Sequence, residues 1–224
     1  MKWSVDTAQD ATAQIVQYFR GLTKTKHSIL LLVSGGSAIA IEADVLRQMA
    51  DCPEILGVLP MDERFGLQSH NDSNIAQLNK GLHTNSPVAV HDVLNQNLPF
   101  SDTVEHYSAL AQDLFARADH IVGIFGIGTD GHTAGILPHS PATTDNVSTV
   151  IGYTWQDYER ITLGANALAQ INTAFVLAYG ESKKQALGRI KANDESFEAL
   201  PAKVLHDIPD VTIYNDFIKS EGVT

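Results

Sequence analysis

Four short segments hold residue types that could act together on a polar, anionic substrate. Ser34, Gly35, Gly36 and Ser37 form a turn whose adjacent glycines let the backbone bend tightly and present its N–H groups. The start of a following helix adds partial positive charge, which suits a phosphate. No Gly-Lys-Ser/Thr follows, so this is not a Walker loop, and Gly35-Gly36-Ser37-Ala38-Ile39 lacks the last glycine of a nucleophile elbow. Asp62, Glu63 and Arg64 follow an apolar run. Three consecutive charges are expected in a solvated loop rather than buried together. Arg64 could grip a phosphate or stabilise an oxyanion, and a carboxylate beside it could orient it or act as a base.

The third segment runs from Gly126 to Gly135 and carries His132 two residues after Asp130. Gly126, Gly128 and Gly131 satisfy G-x-G-x-x-G, which raises a dinucleotide site. Pro138 and Pro141 interrupt any long helix there. About 20 residues on, where a ribose-binding acid belongs, the chain reads Val147-Ser148-Thr149-Val150-Ile151. What remains is a glycine-rich loop that allows close approach to His132, and imidazole is the side chain best suited to a general base near pH 7. His27, His70, His83, His91, His106, His120, His139 and His206 have no comparable surroundings. The fourth segment is Gly180-Glu181-Ser182-Lys183. A lysine opening a helix opposes the macrodipole unless an anion sits nearby. Arg160 is a further candidate cation. A metal site would need Asp62, Glu63, Asp130 and His132 to converge in space.

These segments need elements to position them. Apolar spacing predicts helices over 10–22, 38–49 (with Ile41, Val45 and Met49 on one face), 73–82, 103–118, 165–171, 182–190 and 199–205. Short apolar runs predict strands over 29–33, 55–61, 120–125, 160–163, 174–179 and 211–214. The tail from 219 to 224 is expected to fray. Strands alternating with helices imply an α/β fold with a mainly parallel sheet and helices on both faces. Such sheets bind ligands at the carboxyl ends of their strands, and all four segments follow predicted strands.

Length and composition set bounds. The chain has 224 residues, 44% hydrophobic and 18% charged, enough for one core-forming unit over 1–224. Its net charge of −11 disfavours nucleic acid or anionic lipid as partner. The same charge would repel a phosphorylated substrate, so a phosphate site has to be a local island of cations and N–H groups. Cys52 is the one cysteine, which excludes an intrachain disulfide. No apolar run is long enough for a membrane span and no leader is visible at the start, so a cytoplasmic location is expected.

The four segments, together with Ser73-Asn74 and Leu200-Pro201-Ala202, occur in an order and spacing that resemble the 6-phosphogluconolactonases and, beside them, the glucosamine/galactosamine-6-phosphate isomerases. The likeness spans roughly 8–217. It implies a fold of the sugar-phosphate isomerase and CoA-transferase type. It also implies cytoplasmic hydrolysis of 6-phosphogluconolactone in the pentose phosphate pathway, without metal or organic cofactor. Carried onto this chain, it makes His132 the base, Arg64 an oxyanion stabiliser, and Asp62 or Asp130 the orienting carboxylate. Ser34, Gly35, Gly36, Ser37, Lys183 and Arg160 would bind the phosphate. The expected partner is a small sugar-phosphate lactone, for a monomer or small homo-oligomer. The deaminases resemble D-G-H-I-A-F-N-E-P where this chain has Leu137 at the glutamate position, and D-E-Y where it has Arg64. Both differences favour lactone hydrolysis over an amino-sugar-phosphate deaminase; a non-catalytic sugar-phosphate binder on the same fold is the other rival, which predicts ligand-induced stabilisation without turnover. Loop differences remain at Gly135-Ile136-Leu137, at Asp157-Tyr158-Glu159 and at Lys184.

Overall fold

A computed structural model describes residues 1–82, 88–156 and 158–220. His83, Asp157 and residues 221–224 of the expected frayed tail lie outside the described residues. Ser220, within that tail, exchanges hydrogen bonds with Trp3, donating its N–H at 2.9 Å and accepting at Oγ at 2.7 Å.

In chain order the strands are β1 (Lys2–Ser4), β2 (Ile29–Val33), β3 (Ile55–Pro60), β4 (Asp62–Arg64), β5 (His120–Gly126), β6 (Val150–Trp155), β7 (Tyr158–Leu163), β8 (Thr173–Ala178) and β9 (Asp210–Asn215). The helices are α1 (Ala8–Thr23), α2 (Ile39–Gln48), α3 (Asn74–Leu82), α4 (Phe100–Arg117), α5 (Ala165–Leu168) and α6 (Lys184–Ala192). Six strands form one sheet in the order β1-β9-β8-β5-β2-β3, every neighbouring pair parallel. β4, β7 and β6 form a small antiparallel sheet.

The unbroken apolar run of β2 is explained by two cores. Leu30 and Leu32 enter one cluster with Tyr107 and Leu114 of α4 and Leu187 of α6. Leu31 and Val33 enter the other with Ile15 and Phe19 of α1, Leu46 of α2 and Ile75 of α3. Successive residues of a strand point to opposite faces, so a sheet covered on both sides needs apolar residues at every position. After β3 the chain crosses to the other side of β2 to lay down β5. The strand order therefore reverses between β2 and β5, the switch point where such sheets open a binding crevice.

Local differences from expectation have local causes. Helix 165–171 stops at Leu168, and the helix expected over 199–205 is a 3-10 stretch, Pro201–His206. The segment after β8 opens as a 3-10 turn, Glu181–Lys183, before α6 begins. In α2 the buried face is Glu42, Ala43, Val45 and Leu46, and Ile41 is only partly covered. Asp62-Glu63-Arg64 is not a solvated loop: it is strand β4, with Asp62 and Glu63 buried. The Glu63 carboxylate accepts N–H bonds from Arg64 (2.8 Å), Asn74 (2.8 Å) and Ile75 (3.2 Å) and the Ser73 hydroxyl (2.9 Å), which replace its water. Two of those donors are orphan N–H groups at the start of α3, so the buried acid also caps a helix. Among the described residues no helix is long and apolar enough to cross a membrane.

Candidate active site

The four segments meet at the carboxyl ends of β2, β3, β5 and β8, around one cleft of about 290 Å³. Its walls include the Ser34–Ser37 turn, Asp62 and Arg64, the Gly126–Thr129 backbone with His132, and Arg160 and Lys183. Every candidate except Glu63 and Asp130 lines the cleft; Glu63 turns to the start of α3, and Asp130 reaches the cleft through His132.

His132 and Asp130 form the best-defined pair. Nδ1 of His132 lies 2.6 Å from Oδ1 of Asp130, and the same oxygen accepts the His132 backbone N–H at 3.1 Å. The bond to the imidazole holds the Asp130 carboxyl down, to about 2. An ionised carboxylate only accepts, so Nδ1 carries the hydrogen and the lone pair of the neutral ring is on Nε2. Of the two aspartates left open by sequence, Asp130 is the one bonded to His132. Gly128 makes the arrangement possible: a Cβ there would stand 2.1 Å from Nδ1 and 2.6 Å from the Asp130 carboxylate.

Asp62 lines the cleft beside them. Its carboxyl is pushed up to about 7, first by burial and then by neighbouring Glu63, against the opposing pull of Arg160, His132 and Arg64. It can therefore hold a proton near neutral pH. Arg64 and Arg160 are register partners across β4 and β7. Tyr158 lies beneath both, with guanidinium-to-ring distances of 5.3 and 5.5 Å. Among the described residues, Arg64, Arg160 and Lys183 have no carboxylate within ion-pair distance. Three cations without acidic partners around one cleft, in a chain of net charge −11, leave that cleft as a positive island.

The Ser34–Ser37 turn is divided. Ser34 and Gly35 are buried, with their N–H groups directed to Glu42, and the Ser34 hydroxyl accepts from the Gly126 N–H at 2.8 Å. Gly36 and Ser37 are exposed to the cleft. Gly35 has φ 81° and sits so close to Asn74 that a Cβ would lie 2.6 Å from its side chain. Asn74 in turn donates to the Asp62 carbonyl at 3.0 Å, linking the turn to β4. Glu42, Asn74 and Tyr158 were not among the residues expected to build the site. Glu42 did leave a signal, since it falls three residues before Val45 on the apolar face of α2. Asp62, Glu63, Asp130 and His132 do not form a group able to hold a metal.

The fold and cleft define an α/β protein with a cation-lined pocket at the switch point of its sheet, facing a carboxylate-bound histidine. The sequence profile described as glucosamine-6-phosphate isomerases/6-phosphogluconolactonase matches residues 2–213, and the chain belongs to that family. It is 28% identical to the 6-phosphogluconolactonase of Helicobacter pylori, over 90% of this chain and 89% of that one. It is 26% identical to the glucosamine-6-phosphate deaminase of Staphylococcus epidermidis, over 89% of each chain. The fold is shared with the 6-phosphogluconolactonase structure from Trypanosoma brucei, with a TM-score of 0.76 at 21% identity, covering 96% of this chain and 95% of that one.

Proposed function

We propose that the protein hydrolyses 6-phospho-D-glucono-1,5-lactone to 6-phosphogluconate, as a cytoplasmic step of the pentose phosphate pathway. The observation that carries this is the His132–Asp130 pair, held at 2.6 Å at the edge of a cationic cleft. Asp130 fixes the ring so that Nε2 takes a proton from water as its oxygen attacks C1 of the lactone. The carbonyl electrons move to oxygen, and Arg64 stabilises that oxyanion; one well-placed donor is worth about 3–4 kcal/mol in such sites. Collapse re-forms the carbonyl and breaks the bond from C1 to the ring oxygen, which receives the proton from His132. Gly36, Ser37 and Lys183 hold the 6-phosphate, Arg160 adds charge to the same cleft, and Ser34 and Gly35 build the turn. No metal or organic cofactor enters these steps, so activity should survive exhaustive chelation.

Deamination of an amino-sugar phosphate is the second possibility, because the family includes both activities. Leu137, at the position of the deaminase glutamate, packs against the core and does not line the cleft. An apolar side chain cannot carry protons, which favours the lactone. Acid release from freshly generated lactone, corrected for spontaneous hydrolysis, should be measured beside ammonia release from glucosamine 6-phosphate. Acid without ammonia is the expected result. Ammonia without acid would make the protein a deaminase. Ligand-induced thermal stabilisation without either product would make it a sugar-phosphate binder.

A further inference from the structure

The Leu200-Pro201-Ala202 segment has no part in the chemistry above, yet it lies against the loop that carries the His132–Asp130 pair. The two residues are joined by two peptide groups. Their side chains are 43% and 48% exposed, so packing around them does not fix their separation. Each of the two peptide carbonyls is instead held from outside the loop. The Asp130 carbonyl accepts from Nη1 of Arg189 at 2.8 Å, and the Gly131 carbonyl accepts from the Ala202 N–H at 3.0 Å. Gly131 has φ 89°, and a Cβ there would stand 2.4 Å from Cδ1 of Leu200. Inside the loop, the Gly131 N–H donates to the Gly128 carbonyl at 3.1 Å and the Gly128 N–H to the His132 carbonyl at 2.8 Å.

Arg189, in the last turn of α6, is itself fixed. Its Nε and Nη2 each donate to one oxygen of Glu195 at 2.6 Å, and Nη2 also donates to the Ala199 carbonyl at 3.0 Å. The Glu195 backbone carbonyl is tied in turn by Nζ of Lys203 at 2.7 Å. A bidentate arginine–carboxylate pair sets the plane of the guanidinium, and with it the direction of the remaining N–H groups. We infer that Arg189 is a positioning residue for the reaction: locked by Glu195, it clamps the peptide that follows Asp130 and so sets the 2.6 Å contact that orients the His132 ring. This rests on the lactone hydrolysis proposed above. Arg189 does not line the cleft, so it acts through the loop and not on the substrate. Lys183, assigned to the phosphate, precedes the other end of α6, so the two tasks can be separated by substitution.

The test is a double-mutant cycle on hydrolysis of fresh lactone, corrected for the spontaneous reaction, with parent, Arg189→Met, Asp130→Ala and the double variant. Affinity for 6-phosphogluconate is measured beside it. Methionine keeps an unbranched stem and removes every donor. In the parent, Arg189→Met should lower kcat about 10-fold to 100-fold, as for a reacting group displaced by about 1 Å, with KM and product affinity within about twofold. In the Asp130→Ala background, where no carboxylate holds the ring, the same substitution should cost less than about threefold. Parental kcat in Arg189→Met, an equal loss in both backgrounds, or a loss of affinity in step with kcat overturns the inference and leaves the proposed function standing. No turnover of the lactone by the parent overturns the proposed function, and this inference with it. If Arg189→Met does not fold, Arg189→Lys is carried through the same cycle. An ammonium can meet Glu195 but lacks the planar fork that also reaches Asp130, so kcat should fall about fivefold in the parent and hardly in Asp130→Ala. Parental kcat in Arg189→Lys, or an equal loss in both backgrounds, overturns the inference.

Discussion

Gly128→Ala should separate the chemistry of this protein from its stability. The Cβ of the alanine would stand 2.1 Å from Nδ1 and 2.2 Å from Cε1 of His132, and 2.6 Å from Oδ1 of Asp130. Ordinary carbon contacts begin near 3.4 Å, so the imidazole has to move by about 1.3 Å. That displacement breaks the 2.6 Å bond to Asp130, because the added methyl stands against both partners. Misplacing a catalytic group by about 1 Å costs on the order of 100-fold in rate. Gly128 does not have a positive φ, so alanine fits its backbone without strain. His132 and Asp130 are roughly half exposed, so little core packing is disturbed. We therefore expect kcat for the lactone to fall about 100-fold, with 6-phosphogluconate affinity and Tm close to those of the parent. A coupled assay with fresh lactone, a binding titration and a thermal melt measure the three quantities. Near-parental kcat would remove the His132–Asp130 pair from the mechanism. A parallel collapse of Tm would show that the pair supports the fold instead.

Three further outcomes follow from the same cleft. Asp62→Asn should raise Tm most at about pH 8, less than half as much at about pH 5 and hardly at about pH 3: a carboxyl raised from 3.8 to about 7 lowers stability progressively as pH climbs through that window, by at most a few kcal/mol at its upper end. A pH-independent Tm difference would show that Asp62 is not held protonated by the fold. Tyr158→Leu removes the ring under Arg64 and Arg160, and at about 0.5–1 kcal/mol for each of the two cation–π contacts it should weaken substrate binding by about 5-fold to 30-fold. Tyr158→Phe keeps the ring, loses only the 3.3 Å hydroxyl bond to Asp72, and should restore most of that loss; equal defects in both variants would assign the effect to the hydroxyl. Lys183→Ala should raise KM and spare kcat, and an unchanged KM would take Lys183 out of the phosphate site.

The sheet was legible because its signal is local. β2, β5 and β8 are short apolar runs that only a sheet buried on both faces can use. β6 escaped notice because it mixes buried Val150, Ile151 and Tyr153 with exposed Thr154 and a glycine at 152, so neither alternation nor a continuous run marks it. β1 has three residues and is defined only by pairing with β9. Asp62 and Glu63 looked solvated because the donors that satisfy Glu63 lie on residues 73–75, about ten positions away. His132 and the glycines around it could be singled out from spacing. Asp130 could not be chosen over Asp62, since that depends on which carboxylate the folded loop turns toward the ring. Glu42 shows in sequence only as a polar residue at apolar spacing from Val45, and its partners lie in the turn that folds back over it.

The pairing of β4 with β7 has a consequence for how the pocket could change. Arg160 stands opposite Arg64 because Asp62, Glu63 and Arg64 are matched to Thr162, Ile161 and Arg160. Side chains alternate along a strand, so slippage of β7 by a single position would put Glu159 or Ile161 where Arg160 now stands. One inserted or deleted residue ahead of that strand would therefore halve or cancel the charge of that wall, because Arg64 stays in place opposite, without altering the main sheet.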